Sequence, residues 1–368
     1  MKKVKNLYPK IYDFDNLHSA YLNARKNKRF RDDVLEFSSN LEENLIDIQN
    51  ELIWKQYQVG KYRQFIVTVP KERMIMALNF RDRVVQWAIY RQIAPIFDRQ
   101  FIYDSYGCRD NKGTLAAAQR LQYWLRQVDR KPEKYYYLKL DISRFFYSVN
   151  HEILIKILQR TIADKDTIDL LKTIINSESC AGLPDGFISD CFPADEAGEF
   201  SGIPIGNLTS QMFANIYLNE LDQFCKHTLK THYYIRYMDD IIILHQDKKH
   251  LHKLKNDIER FVNRKLGLCL NDKTAIRPVD MGIEFVGYRI WSTHMKIRKK
   301  SVIRMKQRIK EVQHLYKKGL IEYADVRATI ASYFGFMKNC DSFNLRKKLS
   351  ETLVFRRETT DNNNSDNA

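Results

Sequence analysis

Ile235 to Leu244 reads Ile-Arg-Tyr-Met-Asp-Asp-Ile-Ile-Ile-Leu, two β-prone apolar runs joined by adjacent acids. This predicts a buried hairpin with two carboxylates at its tip. Such a tip is costly to desolvate, and with no Lys or Arg inside the turn the natural partner is a divalent cation with hard oxygen ligands. A cation site asks for a further acid. Tyr135 to Asp141 (Tyr-Tyr-Tyr-Leu-Lys-Leu-Asp) supplies it, an aromatic-rich strand that ends on a carboxylate and runs into Ile-Ser-Arg-Phe-Phe, where a turn can start. Asp141, Asp239 and Asp240 would then hold two Mg²⁺ roughly 3.5 to 4 Å apart, the arrangement that serves in-line phosphoryl transfer. The chemistry implied is nucleotidyl transfer. An isolated Asp-Asp is most often an ordinary hairpin turn. The apolar flanks, and an acid-tipped strand about a hundred residues earlier, weigh against that here.

The 368 residues, 44% of them hydrophobic, leave room for two or three closely packed subdomains with a sizeable core. Lys and Arg number 61 against 45 Asp and Glu, a net charge of +16 that suits a protein handling a polyanion, with nucleic acid the leading partner. The excess is uneven. Arg289 to Lys318 holds eleven Lys and Arg against the single Glu311, so Arg298, Lys299, Lys300, Arg304 and Arg308 are expected to meet phosphate. The six cysteines form no Cys-x-x-Cys pair and have no His at zinc-ligand spacing, as free thiols in a reducing cytosol would. Neither a signal-length apolar run nor an 18-residue apolar stretch occurs, and the expected location is cytoplasmic, away from membranes.

Residues 1 to 60 read as a polar helical extension, with Leu17, Tyr21, Leu22 and then Leu41, Leu45, Ile48 and Leu52 at helical spacing. Arg25 to Arg31 is a basic cluster with two readings, a template grip or a solvated helix face. Gln64 to Pro70 and Ile75 to Leu78 suggest a hairpin whose basic residues Lys71 and Arg73 suit a triphosphate clamp. An amphipathic helix follows from Arg81 to Tyr90. Phe97 to Gly113 is an aromatic and basic loop able to stack on bases or sugars. A helix starts at Thr114, and another is expected over His151 to Ile175. Leu183 to Phe200 reads as a loop or small insertion hairpin. Gly202 to Gln211 then forms a glycine-containing turn into a helix, where backbone can approach a substrate closely. Beyond the hairpin, Leu251 to Lys265 reads as a charged helix, Leu268 to Asn271 as a short strand, and Ile283 to Trp291 as a further strand with an aromatic turn, where the central sheet ends. Residues 301 to about 355 read as helices, and the polar, Asn-rich residues 358 to 368 as disordered.

Taken in order, the blocks from about Tyr62 to Trp291 resemble a reverse transcriptase. The resemblance implies an α+β right-hand polymerase: fingers and an antiparallel palm over residues 61–300, then a helical thumb over 301–356. It implies that Asp141, Asp239 and Asp240 bind metal, that Phe146 screens against a ribose 2′-hydroxyl, that Lys71 and Arg73 hold the incoming deoxynucleoside triphosphate, and that Lys273 protonates pyrophosphate. Phe285-Val-Gly-Tyr288, with Gly287, resembles a primer grip. Phe101 to Tyr106 and Ile205-Gly206-Asn-Leu-Thr-Ser-Gln211 resemble the reverse transcriptases of diversity-generating retroelements. Most reverse transcriptases carry Gln where this chain has Ile205, and Pro where it has Gln211. That subfamily implies error-prone cDNA made from a template-repeat RNA to diversify a target gene, and a small basic oligomeric accessory protein. The roughly 80 residues after Tyr288 suffice for a thumb and not for an RNase H, maturase or endonuclease domain. Two other functions compete, an antiphage-defence reverse transcriptase and a catalytically vestigial RNA-binding scaffold. The intact acids argue against the second.

Overall fold

A computed structural model of the chain describes residues 3–68, 72–177 and 201–357. Helices α1 (Tyr8–Tyr12), α2 (Phe14–Ala24), α3 (Asp32–Ser39) and α4 (Leu41–Ile53) lead to strands β1 (Arg63–Val67) and β2 (Arg73–Ala77). Then come α5 (Phe80–Asp98), α6 (Thr114–Asp129), β3 (Tyr136–Asp141), α7 (Phe145–Ser148), α8 (His151–Thr161), α9 (Lys165–Ile175) and α10 (Leu208–Gln223). The hairpin β4 (Tyr233–Tyr237) and β5 (Asp240–His245) follows, with α11 (Lys248–Leu266), β6 (Ala275–Pro278), β7 (Ile283–Phe285), β8 (Tyr288–Ile290) and β9 (Met295–Ile297). Last are α12 (Lys299–Lys317), α13 (Tyr323–Met337) and α14 (Phe343–Thr352). The fold is α+β, with antiparallel pairing and packed helices, and it forms two compact units.

The first unit joins the chain up to Gly113 with Leu138–Ile276. Helices α1, α2 and α3 are docked on α5, and α4 packs on those three. Leu17, Tyr21, Leu45, Ile48 and Leu52 are buried, whereas Leu22 is 42% exposed. Asn16 ties α2 to α5 by donating to the Ala88 carbonyl at 3.2 Å and accepting from Arg91 and Gln92. The basic cluster at Arg25–Arg31 is the connection between α2 and α3 and not a helix face. Strands β1 and β2 pair antiparallel with Val67 opposite Arg73. Lys71 lies outside the described residues, as do Leu183–Phe200 and the tail beyond residue 357.

The unit's sheet runs β4-β5-β3-β6. Ile241 to Leu244 are buried four in a row, so both faces of β5 are covered. α11 packs on β5 and also on α10, which is buried nearly all round. The single helix expected over residues 151–175 is two. Asp164 breaks it, because its carboxylate accepts the Leu7 and Tyr8 amides at 2.7 and 2.8 Å and caps α9 through Thr167. The strand expected at Leu268–Asn271 shrinks to one bridge between Ile142 and Leu270, and β6 comes later in the chain.

The second unit joins Thr114–Tyr137 with the chain from Arg277 onward. Here Ile283–Trp291 departs from expectation, since it does not close the central sheet. It turns back on itself as β7 and β8 in a separate three-stranded sheet with β9. Val286 (φ +43°) and Gly287 (φ +90°) are both left-handed, as a tight two-residue hairpin requires. Helix α6 is fixed to this sheet by Gln122 and Arg126, which donate to the carbonyls of Trp291 and Ser292. Ile297, Met305, Ile309, Met337 and Leu349 form the core beneath α12–α14. Cys108, Cys225, Cys269 and Cys340 are free thiols. No described helix is long and apolar enough to cross a membrane.

Candidate active site

Tyr237 pairs with Asp240, so the hairpin loop is only Met238 and Asp239. Met238 has φ +53° where a two-residue loop ordinarily places glycine. Asp239 sits in the loop and Asp240 heads β5, whose neighbour in the sheet is β3, the strand that ends on Asp141. Lys139 Nζ donates to Asp240 Oδ2 at 3.1 Å and lies 3.0 Å from Oδ1, where the contact is an ion pair without hydrogen-bond geometry. Burial pushes the Asp240 carboxyl up to about 6; Lys139 opposes the rise, and the charges of Asp141 and Asp239 add to it.

Among the described residues no three His, Cys, Asp or Glu side chains form a ready-made metal cluster. Asp141 and Asp239 are near enough for their charges to act on Asp240, but the three acids are not gathered round a point. Their chemistry nevertheless fits a hard divalent cation. All donors are carboxylate oxygens, Asp240 Oδ1 is shielded from solvent with no hydrogen bond, and a cation would offset the burial and the neighbouring negative charges that raise Asp240.

The backbone end of Asp141 carries a second turn. Asn271 N–H donates to the Asp141 carbonyl at 2.7 Å, and Lys273 N–H donates to Asn271 Oδ1 at 3.0 Å, which leaves exposed Lys273 in a turn attached to β3. Arg144 (φ +43°) swings the chain into α7, where Phe146 is half-buried against the edge of Phe145, centroids 5.4 Å apart. The Phe146 and Val149 carbonyls accept from Ile203 (2.7 Å) and Gly202 (2.8 Å), so the segment before α10 is stitched to α7 and α8. Its next residue pair reaches β2. Half-buried Ile205 accepts from Met76 N–H at 3.0 Å, and Gly206 has φ +122°, with space for a Cβ only 3.2 Å from Ile75 Cγ2 and the Met76 carbonyl. Phe146, Ile205, Gly206 and β2 are thus brought together. Arg73 and Gln211 are exposed, at the start of β2 and in the first turn of α10.

In the second unit, Phe285 and Tyr288 are buried, and Tyr288 stacks on Phe336 at 4.9 Å. Between them Val286 and Gly287 are half-buried, and the Gly287 carbonyl accepts from Arg298 N–H at 3.0 Å. Lys299 and Lys300 are exposed and Arg304 is half-buried, while Arg308 is paired with Glu311 at 2.8 Å.

Four charged residues matter here that no sequence motif marks. Lys139 is the counter-charge of Asp240. Arg144 has its Nη1 shielded with no partner among the described residues. Arg236 and Asp222 form a fully buried pair, with Nε to Oδ1 at 2.7 Å and Nη2 to Oδ2 at 2.6 Å. Losing one member of such a pair typically costs about 3–5 kcal/mol. The available signal was a lone charge within each of two apolar stretches, Tyr-Tyr-Ile-Arg-Tyr and the buried face of α10.

The reverse transcriptase (RNA-dependent DNA polymerase) family model matches residues 61–290. Relatives include the COX1/OXI3 intron 2 protein of Saccharomyces cerevisiae, 24% identical over 315 residues, which cover 67% of this chain and 34% of the yeast protein. Protein YkfC of Escherichia coli is 27% identical over 281 residues, or 66% of this chain and 70% of that one. This chain therefore spans about a third of the yeast relative's length. Among solved structures, telomerase from Candida tropicalis in complex with a fragment of telomeric RNA is similar at TM-score 0.47 and 14% identity, over 84% of this chain and 59% of that one. With the family model spanning the hairpin, the acid-tipped strand and the turn before α10, the chain belongs to the reverse transcriptase family.

Proposed function

We propose that this chain is an RNA-directed DNA polymerase that copies a template-repeat RNA with errors, so that the cDNA diversifies a target gene. The observation that carries the polymerase reading is the placement of Asp141 at the end of β3 beside the hairpin that bears Asp239 and Asp240, hard oxygen donors of which Asp240 is raised by burial and, to a smaller extent, by its two acidic neighbours. These acids would hold two Mg²⁺, which when bound supply neutralisation of the triphosphate and activation of the primer hydroxyl. Arg73, with Lys71, holds the triphosphate. Phe146 excludes a 2′-hydroxyl, and Lys273 gives a proton to the leaving pyrophosphate. Gly206 and Gln211 border the nascent base pair, with Ile205 beside them. The Phe285–Tyr288 turn supports the primer. Residues 61–300 act as fingers and palm behind the helical extension 1–60, and 301–356 act as thumb, where Arg298, Lys299, Lys300, Arg304 and Arg308 meet template RNA or cDNA. A small basic oligomeric protein assists, in the cytoplasm.

The diversifying role rests on Ile205. An apolar residue there cannot hydrogen-bond the nascent pair, and apolar contacts discriminate by only about 1–3 kcal/mol. Sequencing cDNA made on one RNA template by the wild type and by Ile205→Gln tests the whole reading. Errors concentrated opposite template adenines and reduced by the substitution support it. Equal and low error rates leave a polymerase without the mutagenic role, and no cDNA from the wild type removes both.

A further inference from the structure

Asp239 lies in a turn that its neighbour disfavours, because a non-glycine residue at φ +53° persists only where its surroundings over-determine it. Two contacts hold Met238. On one side is Gly107, where a Cβ would sit 2.7–2.8 Å from Met238 N, Cγ and Sδ. On the other, Arg236 Nη1 donates to the Met238 carbonyl at 3.2 Å.

Both contacts belong to one buried group. A guanidinium has five N–H donors in a rigid plane, and here each has an acceptor. Nε and one Nη2 hydrogen go to the two oxygens of Asp222, the other Nη2 hydrogen to Ser105 Oγ at 3.0 Å, and Nη1 to Asn215 Oδ1 at 3.1 Å and to Met238. Asp222 is held in turn by Tyr234 Oη at 2.7 Å. Asn215 donates to the Gly107 carbonyl at 2.7 Å, which fixes the glycine wall to the same group. The Arg236 backbone is bonded on both sides, donating to Asp104 and accepting from Tyr106.

We infer that Arg236, oriented by Asp222, is a positioning residue that clamps the Met238 peptide and so aims Asp239 and Asp240 at their cation. This rests on the polymerase reading above. Arg236→Lys tests it, because lysine keeps the charge that Asp222 needs and gives up the planar fork that reaches Met238. The readouts are the melting temperature, primer-extension kcat and KM, and amide hydrogen exchange across residues 233–245. The clamp predicts a folded variant whose kcat falls about ten-fold or more at unchanged KM for template-primer, with faster exchange confined to Met238–Asp240. Wild-type kcat and turn exchange in a folded variant overturn it, and so does faster exchange spread evenly along β4 and β5 with kcat intact. If Arg236→Lys does not fold, the same measurements on Asp222→Leu/Arg236→Met, which removes both charges, decide between the same outcomes. A wild type that extends no primer would sink the polymerase reading, while the exchange comparison would still decide the clamp.

Discussion

Phe146 has one half-exposed ring, set by Phe145 behind it and by the Ile203 amide on its carbonyl. If it guards the sugar, Phe146→Ala admits ribonucleotides, raising their use relative to deoxynucleotides by roughly 10- to 200-fold, the range for removing a few apolar atoms from a specificity pocket. Extension assays with each sugar type measure this, and unchanged discrimination would make Phe146 a core aromatic. Asp141, Asp239 and Asp240 were legible because adjacency and strand-end placement are local properties. Arg236, Asp222, Lys139 and Arg144 were not. Lys139 meets Asp240 and Arg236 meets Asp222 only through tertiary folding, and Arg144 Nη1 has no partner among the described residues, so sequence registers only an interruption of an apolar run.

Among the elements, α8 begins with His151, whose Nε2 lies 2.6 Å from the Gly202 carbonyl and whose Nδ1 lies 3.1 Å from Asn176 Oδ1. That contact secures the segment that delivers Ile205 and Gly206. Burial holds His151 below its ordinary value of 6.5, against the opposing pull of these hydrogen bonds. A group depressed in the folded state is protonated first in the unfolded chain, so its contribution is present above about pH 6.5 and is lost as pH falls below it. Melting curves at pH 7.5 and 5.5 should therefore show a larger loss of Tm in the wild type than in His151→Gln, by a few degrees. Equal losses would mean that His151 carries no pH-dependent stability. Long periodic elements such as α4, α10 and α12 were readable from apolar spacing. Strands β6 to β9 are three or four residues long, too short for an alternating pattern to register, which is why Ile283–Trp291, though its aromatic turn was legible, was assigned to the central sheet.

For the whole molecule, the net charge of +16 points to a polyanion partner but not to which cations would be available to it. Arg308 is paired with Glu311 and Arg304 is half-buried, whereas Lys299 and Lys300 are exposed. RNA affinity should fall with salt at a log-log slope of about −0.7 per contacted phosphate for single strands. Reversing Lys299 and Lys300 to Glu should flatten that slope more than reversing Arg304 and Arg308, and an unchanged slope for both pairs would place RNA elsewhere. The grouping of α6 with the chain beyond Arg277 was equally invisible, since it rests on contacts such as Arg126 to Ser292 between residues far apart in sequence. Metal-dependent, RNA-templated DNA synthesis by this chain would depend on the acids at the ends of β3 and of the hairpin. Primer extension on an RNA template with Mg²⁺, run beside a melting curve for the wild type, Asp141→Asn and Asp239→Asn, tests it most directly. The expected result is extension by the wild type and a loss of at least about a thousand-fold, roughly 4 kcal/mol, in variants that melt like it. Extension retained by either folded variant would contradict it.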